Sequence, residues 1–90
     1  MKFYYSQKKV TGAAPANTYE IISFGFVAKN VIIQNANGST EDIIMSWNGT
    51  DIHGHIEAGE PLTLSGIDAG EIRVKSTSGG QTYRVWAWVD

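Results

Sequence analysis

At 90 residues and without cysteine, the chain is sized for one domain and excludes a disulfide framework, thiolate chemistry or a cysteine-based zinc site. Seven Lys and Arg against nine Asp and Glu give a net charge of −2. The cations are scattered, which argues against the basic patch that counterion-release binding to nucleic acid needs. No apolar run approaches the ~20 residues of a membrane-spanning helix. The segment Met1 to Lys9 has no hydrophobic signal core, so the chain is expected to begin at Met1 and to be made in a cytoplasm.

In chain order, Lys2–Lys9 reads as a short aromatic strand or arm. Phe3, Tyr4 and Tyr5 are consecutive and cannot all face one core. Val10–Asn17 (VTGAAPAN) reads as a linker of small residues. Residues 1–17 are therefore expected to form an N-terminal strand or arm with its tether, and 18–90 a single β-sandwich domain. The next strand is Thr18–Val27, with Ile22, Phe24 and Phe26 on one face and Tyr19, Ile21 and Ser23 on the other. Gly25 inside it predicts a bulge or a close backbone approach. Ala28-Lys29-Asn30 reads as a turn, and Val31–Asn35, nearly all apolar, as a central strand.

Asn35 to Thr40 contains an Asn-Gly pair, which supplies the positive φ angles of a hairpin turn. Glu41–Trp47 follows as a strand and Asn48-Gly49 as a second turn. Asn37-Gly-Ser39 and Asn48-Gly-Thr50 match the glycosylation acceptor pattern, but the turn reading explains both. Asp51–Glu57 forms a short strand, Ala58 to Pro61 a turn, Leu62-Thr-Leu64 a short strand, and Gly66–Gly70 a further turn. Glu71–Ser76 places Ile72 and Val74 inward with Arg73 and Lys75 outward. Thr77–Gly80 reads as a hairpin into the last strand. No helical periodicity persists anywhere. The expectation is an all-β fold, a small β-sandwich or jelly-roll-like domain of about seven to eight short antiparallel strands at a spacing of roughly 8–12 residues.

The strongest strand signal is the C-terminal segment, Gln81 to Asp90. Alternation puts Tyr83, Val85, Ala87 and Val89 on one face and Arg84, Trp86 and Trp88 on the other. Neither face is polar, whereas a strand covered by one core should read apolar inside and polar outside. The second face is expected to be covered by another protein chain. A small disulfide-free all-β chain commonly depends on oligomerisation or tight packing, which points the same way.

Asp51-Ile-His-Gly-His-Ile-Glu57, if extended, projects Asp51, His53, His55 and Glu57 from one face. Two imidazoles flanked by carboxylates could bind a transition metal, and His53 and His55 are the metal candidates. The competing reading is an exposed or capping histidine pair, and it is preferred, so no cofactor is expected. Trp47, Trp86 and Trp88 could instead stack on sugar rings, with Asn48, Asp51 and Arg84 supplying hydrogen bonds. Aromatic residues and Arg are also the side chains enriched at protein interfaces, and that reading is preferred. Catalysis has little support: no strained Gly-x-Ser-x-Gly turn presents a nucleophile, no phosphate-cradling loop is present, and a small sandwich rarely forms the cleft that paired carboxylates need.

Ser46-Trp-Asn-Gly49, His53-Gly54, Glu60-Pro-Leu62, Ile72-Arg-Val-Lys-Ser76 and Tyr83-Arg-Val-Trp-Ala-Trp88 form a succession that resembles small β-rich virion structural proteins of tailed bacteriophages. The resemblance runs from about Phe24 to Trp88. It implies a non-enzymatic part of the particle (capsid decoration, head–tail joining, or a tail component), found in the virion after synthesis in the host cytoplasm. The reading adopted is a protein that binds other virion proteins and self-associates, with a trimer as one form; composition and charge point to no membrane or nucleic-acid ligand. Phe3, Tyr4 and Tyr5 of the arm and Arg84, Trp86 and Trp88 of the last strand are the expected contact residues. The rival is a carbohydrate-binding module recognising a host cell-surface glycan. A third reading is an oligomer stapled by metal at His53 and His55.

Overall fold

The computed structural model describes residues 1–10, 19–39, 41–76 and 80–90. Among them are six strands: β1 (Lys2–Lys9), β2 (Glu20–Asn35), β3 (Ile43–Ser46), β4 (Gly54–Ile56), β5 (Pro61–Lys75) and β6 (Thr82–Val89). All pairings are antiparallel, in one sheet of order β1-β6-β2-β5-β3-β4. The all-β class is as the sequence predicts, with six strands where seven or eight were expected.

The lower strand number has a local cause. Ala28-Lys29-Asn30 does not turn the chain; it lies within the 16-residue β2. Gly66–Gly70 lies within the 15-residue β5. The two long strands bend together at matched irregularities. Between Ser23 and Ala28, five steps along β2 oppose two along β5. Between Ala28 and Asn30, two steps along β2 oppose four along β5. Extra residues of this kind kink a strand and increase its twist without ending it. Gly25 (φ 83°) and Gly66 (φ 68°) supply the left-handed backbone within these bulges. The exposed Lys29 and Asp68 side chains form an ion pair across the bend.

The bend folds the sheet onto itself. Tyr4 of β1 stands in register with Ala87 of β6, which stands in register with Val31 of β2. Seven extended residues would separate Val31 from Phe24 by roughly 23 Å. The Tyr4 and Phe24 rings nevertheless lie 5.3 Å apart, centroid to centroid. The first half of β2 therefore returns beneath β1 and β6. Between the halves lies one core, built from Ile22, Phe24, Val31, Ile33, Ile43, Met45, Ile56, Ile72, Val74, Tyr83, Val85 and Ala87, among others.

Two connections differ from the sequence reading. Asn37-Gly38 is a turn, but β2 and β3 do not pair with each other; β5 lies between them. Residues 77–79 of the expected Thr77–Gly80 hairpin lie outside the described residues, and β5 and β6 flank β2 instead of pairing. Residues 11–17, most of the expected linker, and residue 18, the expected start of the next strand, also lie outside the described residues. Val10 at its start is a core residue at 1% exposure. Its backbone N–H donates to the Gln81 carbonyl at 2.8 Å, and its carbonyl accepts the Gly80 N–H at 2.6 Å. The preceding strand pairs along its whole length with β6, so β1 is an integral edge of the sheet.

Two predictions arise here. Gly25→Ala is expected to cost about 1–2 kcal/mol, because the backbone is left-handed, although an added Cβ would meet nothing within 4 Å. Chemical denaturation measures it; an unchanged midpoint would mean that the bend does not depend on this φ. The second prediction concerns alkali. Burial, reinforced by the nearby Glu20 and Tyr4, pushes the Tyr83 hydroxyl up from 10.0 to about 12. The folded state thus holds this proton more tightly than the unfolded state. The associated stability is complete below pH 10 and is lost as pH rises toward 12. The loss is roughly 2–3 kcal/mol. In denaturation series from pH 9 to 12, Tyr83→Phe should show a shallower alkaline decline than the parent chain.

Candidate functional site

The face of β6 turned away from the core carries Arg84, Trp86 and Trp88, as alternation predicts, and all three are half-buried. Their neighbours are set by register. Trp88 stands between Phe3 of β1 and Asn30 of β2. Trp86 stands between Tyr5 and Ile32, and Arg84 between Gln7 and Gln34. Residues opposite one another in antiparallel strands share a face, so these nine side chains form a lattice of three rows on three strands.

The upper two rows are aromatic and aliphatic apart from Asn30. Phe3 and Tyr5 are 58% and 48% exposed. The Tyr5 and Trp86 rings lie 5.4 Å apart at a tilt of 46°, within the range of favourable aromatic pairs. The third row is polar. Arg84 donates from Nε to Gln7 Oε1 at 2.9 Å and from Nη1 to Gln34 Oε1 at 3.4 Å. These bonds tie the guanidinium to the strands on either side, at the border of the aromatic rows. Phe3, Ile32, Gln34, Pro61, Trp86 and Trp88 line a shallow, open, largely apolar groove of about 430 Å³.

Five of the six expected contact residues thus share this face: Phe3, Tyr5, Arg84, Trp86 and Trp88. Tyr4 points the other way, against Phe24, and its hydroxyl donates to Ser6 Oγ at 3.0 Å. The alternation of β1 separates it from Phe3 and Tyr5. Ile32, Gln34 and Pro61 were not singled out from sequence. Ile32 carried a usable signal, since strand alternation puts it opposite the buried Val31 and Ile33.

The other predicted residues are dispersed. Trp47 follows β3, on the far side of β2 and β5 from β6. Its ring lies 6.4 Å from that of His53, and its carbonyl accepts a 2.6 Å hydrogen bond from Arg73 Nη1. Asn48 and Asp51 are engaged within their own loop. Asn48 Nδ2 donates to Asp51 Oδ2 at 2.8 Å, and Asn48 Oδ1 accepts from the Thr50 and Asp51 backbone at 2.8 and 2.9 Å. These residues do not join Trp86 and Trp88 in one sugar-stacking site.

The two histidines also have separate partners. His53 Nδ1 accepts the Trp47 backbone N–H at 3.0 Å, so it fastens the β3–β4 loop. His55 Nδ1 lies 3.6 Å from Asp42 Oδ2. Among the described residues no group of three or more His, Cys, Asp or Glu side chains is arranged to hold a metal ion.

Fold and face together define a small all-β domain with an exposed aromatic platform on one side of a self-folded sheet. No family model, curated protein or solved structure matches the chain.

Proposed function

We propose that this chain is a non-enzymatic assembly protein that binds another protein through the Phe3–Tyr5–Ile32–Trp86–Trp88 face, and that it serves as a virion structural component of a tailed bacteriophage. The observation that carries the docking reading is the continuous apolar platform, with aromatic rings from β1 and β6 and Ile32 from β2, bordered by a hydrogen-bonded Arg84. Aromatic anchors beside a fixed guanidinium are the side-chain set enriched at the centres of protein interfaces. A rigid sheet also presents them with little ordering cost on binding.

The virion assignment rests on the motif succession from Ser46 to Trp88. Within it, Ser46-Trp-Asn-Gly49 has a clear structural job. The buried Ser46 Oγ accepts the Asn48 and Gly49 backbone N–H groups at 3.2 and 2.9 Å, which shapes the β3–β4 loop. Tyr83 to Trp88 supplies both the core and the docking face. Capsid decoration, head–tail joining and tail attachment all use surface complementarity of this kind, and the reading assigns the chain no catalytic step.

The test is quantitative mass spectrometry of purified particles produced from the genome that encodes the chain. The expected result is the chain at a fixed copy number per particle, retained through density-gradient purification. Its absence from the particles, with binding of the free domain to host glycans, would replace this reading by a carbohydrate-recognition role.

A further inference from the structure

We propose that successive copies of this chain associate head to tail, with β1 of one copy docking on the β3–β4 flank of the next. β1 also carries Phe3 and Tyr5 of the aromatic face, but this contact uses the outer edge and the lysines of the strand, so charge reversal tests it separately from Trp86→Ala.

The sheet has two ends, β1 and β4. β1 is an eight-residue edge strand whose outer backbone groups pair with no described strand. Such an edge is a template for another chain. The two ends lie on opposite flanks. β1 lies over the first half of β2 through the Tyr4–Phe24 contact. β4 lies against the start of β5, where a Cβ added at Gly54 would come within 3.1 Å of Leu62 Cδ2.

The flanks carry opposite charge. Lys2, Lys8 and Lys9 are exposed on β1, and among the described residues none forms an ion pair. The other four cations have local partners. Lys29 pairs with Asp68, and Arg73 with Glu71. Lys75 sits 4.3 Å over the Tyr19 ring, and Arg84 is held by Gln7 and Gln34. From Asn30 to Ile72 the chain has no Lys or Arg. In that stretch Asp42, Asp51, Glu57 and Glu60 are exposed around β3 and β4.

The same charges select a second copy in head-to-tail order over a two-fold pair. Antiparallel pairing of β1 with its own copy, centred on Tyr5 or between Tyr5 and Ser6, would set Lys2 opposite Lys8 or Lys9. Like charges directly opposite are destabilising. Docking the basic edge on the acidic flank instead brings Lys8 and Lys9 toward a flank rich in carboxylates, where Asp42 lies 3.6 Å from His55 and Asp51 accepts from Asn48 while Glu57 and Glu60 form no ion pair among the described residues. Such a heterologous contact repeats, and closes into a ring or extends as a filament.

Light scattering and sedimentation of the whole chain at ~10–100 μM, in low and high salt, test this. The expected result is a species larger than a dimer at low salt, shifting toward the 9.8 kDa monomer at high salt. Lys8→Glu with Lys9→Glu, and separately Asp42→Lys with Glu57→Lys, should each give monomers, and an equimolar mixture should restore the large species. If either charge-reversed variant melts abnormally, Lys→Gln and Asp→Asn/Glu→Gln versions replace it and should weaken association at least tenfold. A parent chain that is monomeric, or a dimer insensitive to salt, overturns the proposal. So does parent-like association of Asp42→Lys/Glu57→Lys, which would indicate a two-fold β1 contact, or failure of folded variants to rescue one another.

Discussion

Asn35→Asp is expected to destabilise the domain by about 3–5 kcal/mol, the scale for leaving buried groups unpaired beside an uncompensated charge. Asn35 ends β2 and is fully buried. Its Nδ2 donates to the Glu41 carbonyl at 3.0 Å and the Ile56 carbonyl at 2.8 Å. Its backbone N–H donates to the Glu60 carbonyl at 3.1 Å, and its own carbonyl accepts the Gly59 N–H at 2.7 Å. One residue thus ties together the approach to β3, the end of β4 and the turn into β5. A carboxylate of the same shape has no donor and would face two carbonyl oxygens. Against a total stability on the order of 5–10 kcal/mol, the loss would lower Tm by roughly 15–30 °C for a domain of this size. Asn35→Ala, which leaves the carbonyls unpaired without adding charge, should cost less, about 2–3 kcal/mol. Calorimetry of the three proteins gives the order; an Asp variant that melts within 5 °C of the parent, a small shift on this scale, would show that these hydrogen bonds do not hold the loops.

Trp86→Ala is expected to weaken incorporation into particles by roughly 30-fold or more, the effect of removing a central anchor worth at least ~2 kcal/mol. Trp86 is the middle residue of the lattice, between Tyr5 and Ile32. It is only half-buried in the free domain, so its removal should cost folding no more than about 1–2 kcal/mol. Val85→Ala is the matched control. Val85 is fully buried on the opposite face of the same strand. Its truncation should lower stability by a similar or larger amount, roughly 1–3 kcal/mol, while leaving incorporation of the folded protein intact. If both substitutions reduce incorporation in proportion to lost stability, the outer face has no docking role.

Much of this architecture is visible in local patterns. The alternation of Tyr83, Val85 and Ala87 against Arg84, Trp86 and Trp88 identifies the inner and outer faces of β6, because a strand's side-chain period is fixed by its backbone. Gly25 marks the bulge for a similarly local reason. What was not visible is set by long-range pairing. Ala28-Lys29-Asn30 resembles a turn because a bulged strand and a turn draw on the same small and polar residues; only the irregular register with β5 distinguishes them. Asn37-Gly38 turns the chain as its residues require, but no local signal says that β5 will come between β2 and β3. The pairing of the first strand with the last is what brings Phe3 and Tyr5 alongside Trp86 and Trp88. It also removes Tyr4 from their company. Asn35 was hidden by its chemistry, since a polar residue at a strand end reads as turn-forming until its buried partners are seen.

The most direct test of the docking face is hydroxyl-radical footprinting of the chain, free and on purified particles, read residue by residue. The account predicts that Phe3, Tyr5, Trp86 and Trp88 are oxidised in the free protein and protected on the particle. Equal oxidation of Trp86 and Trp88 in both states would contradict it.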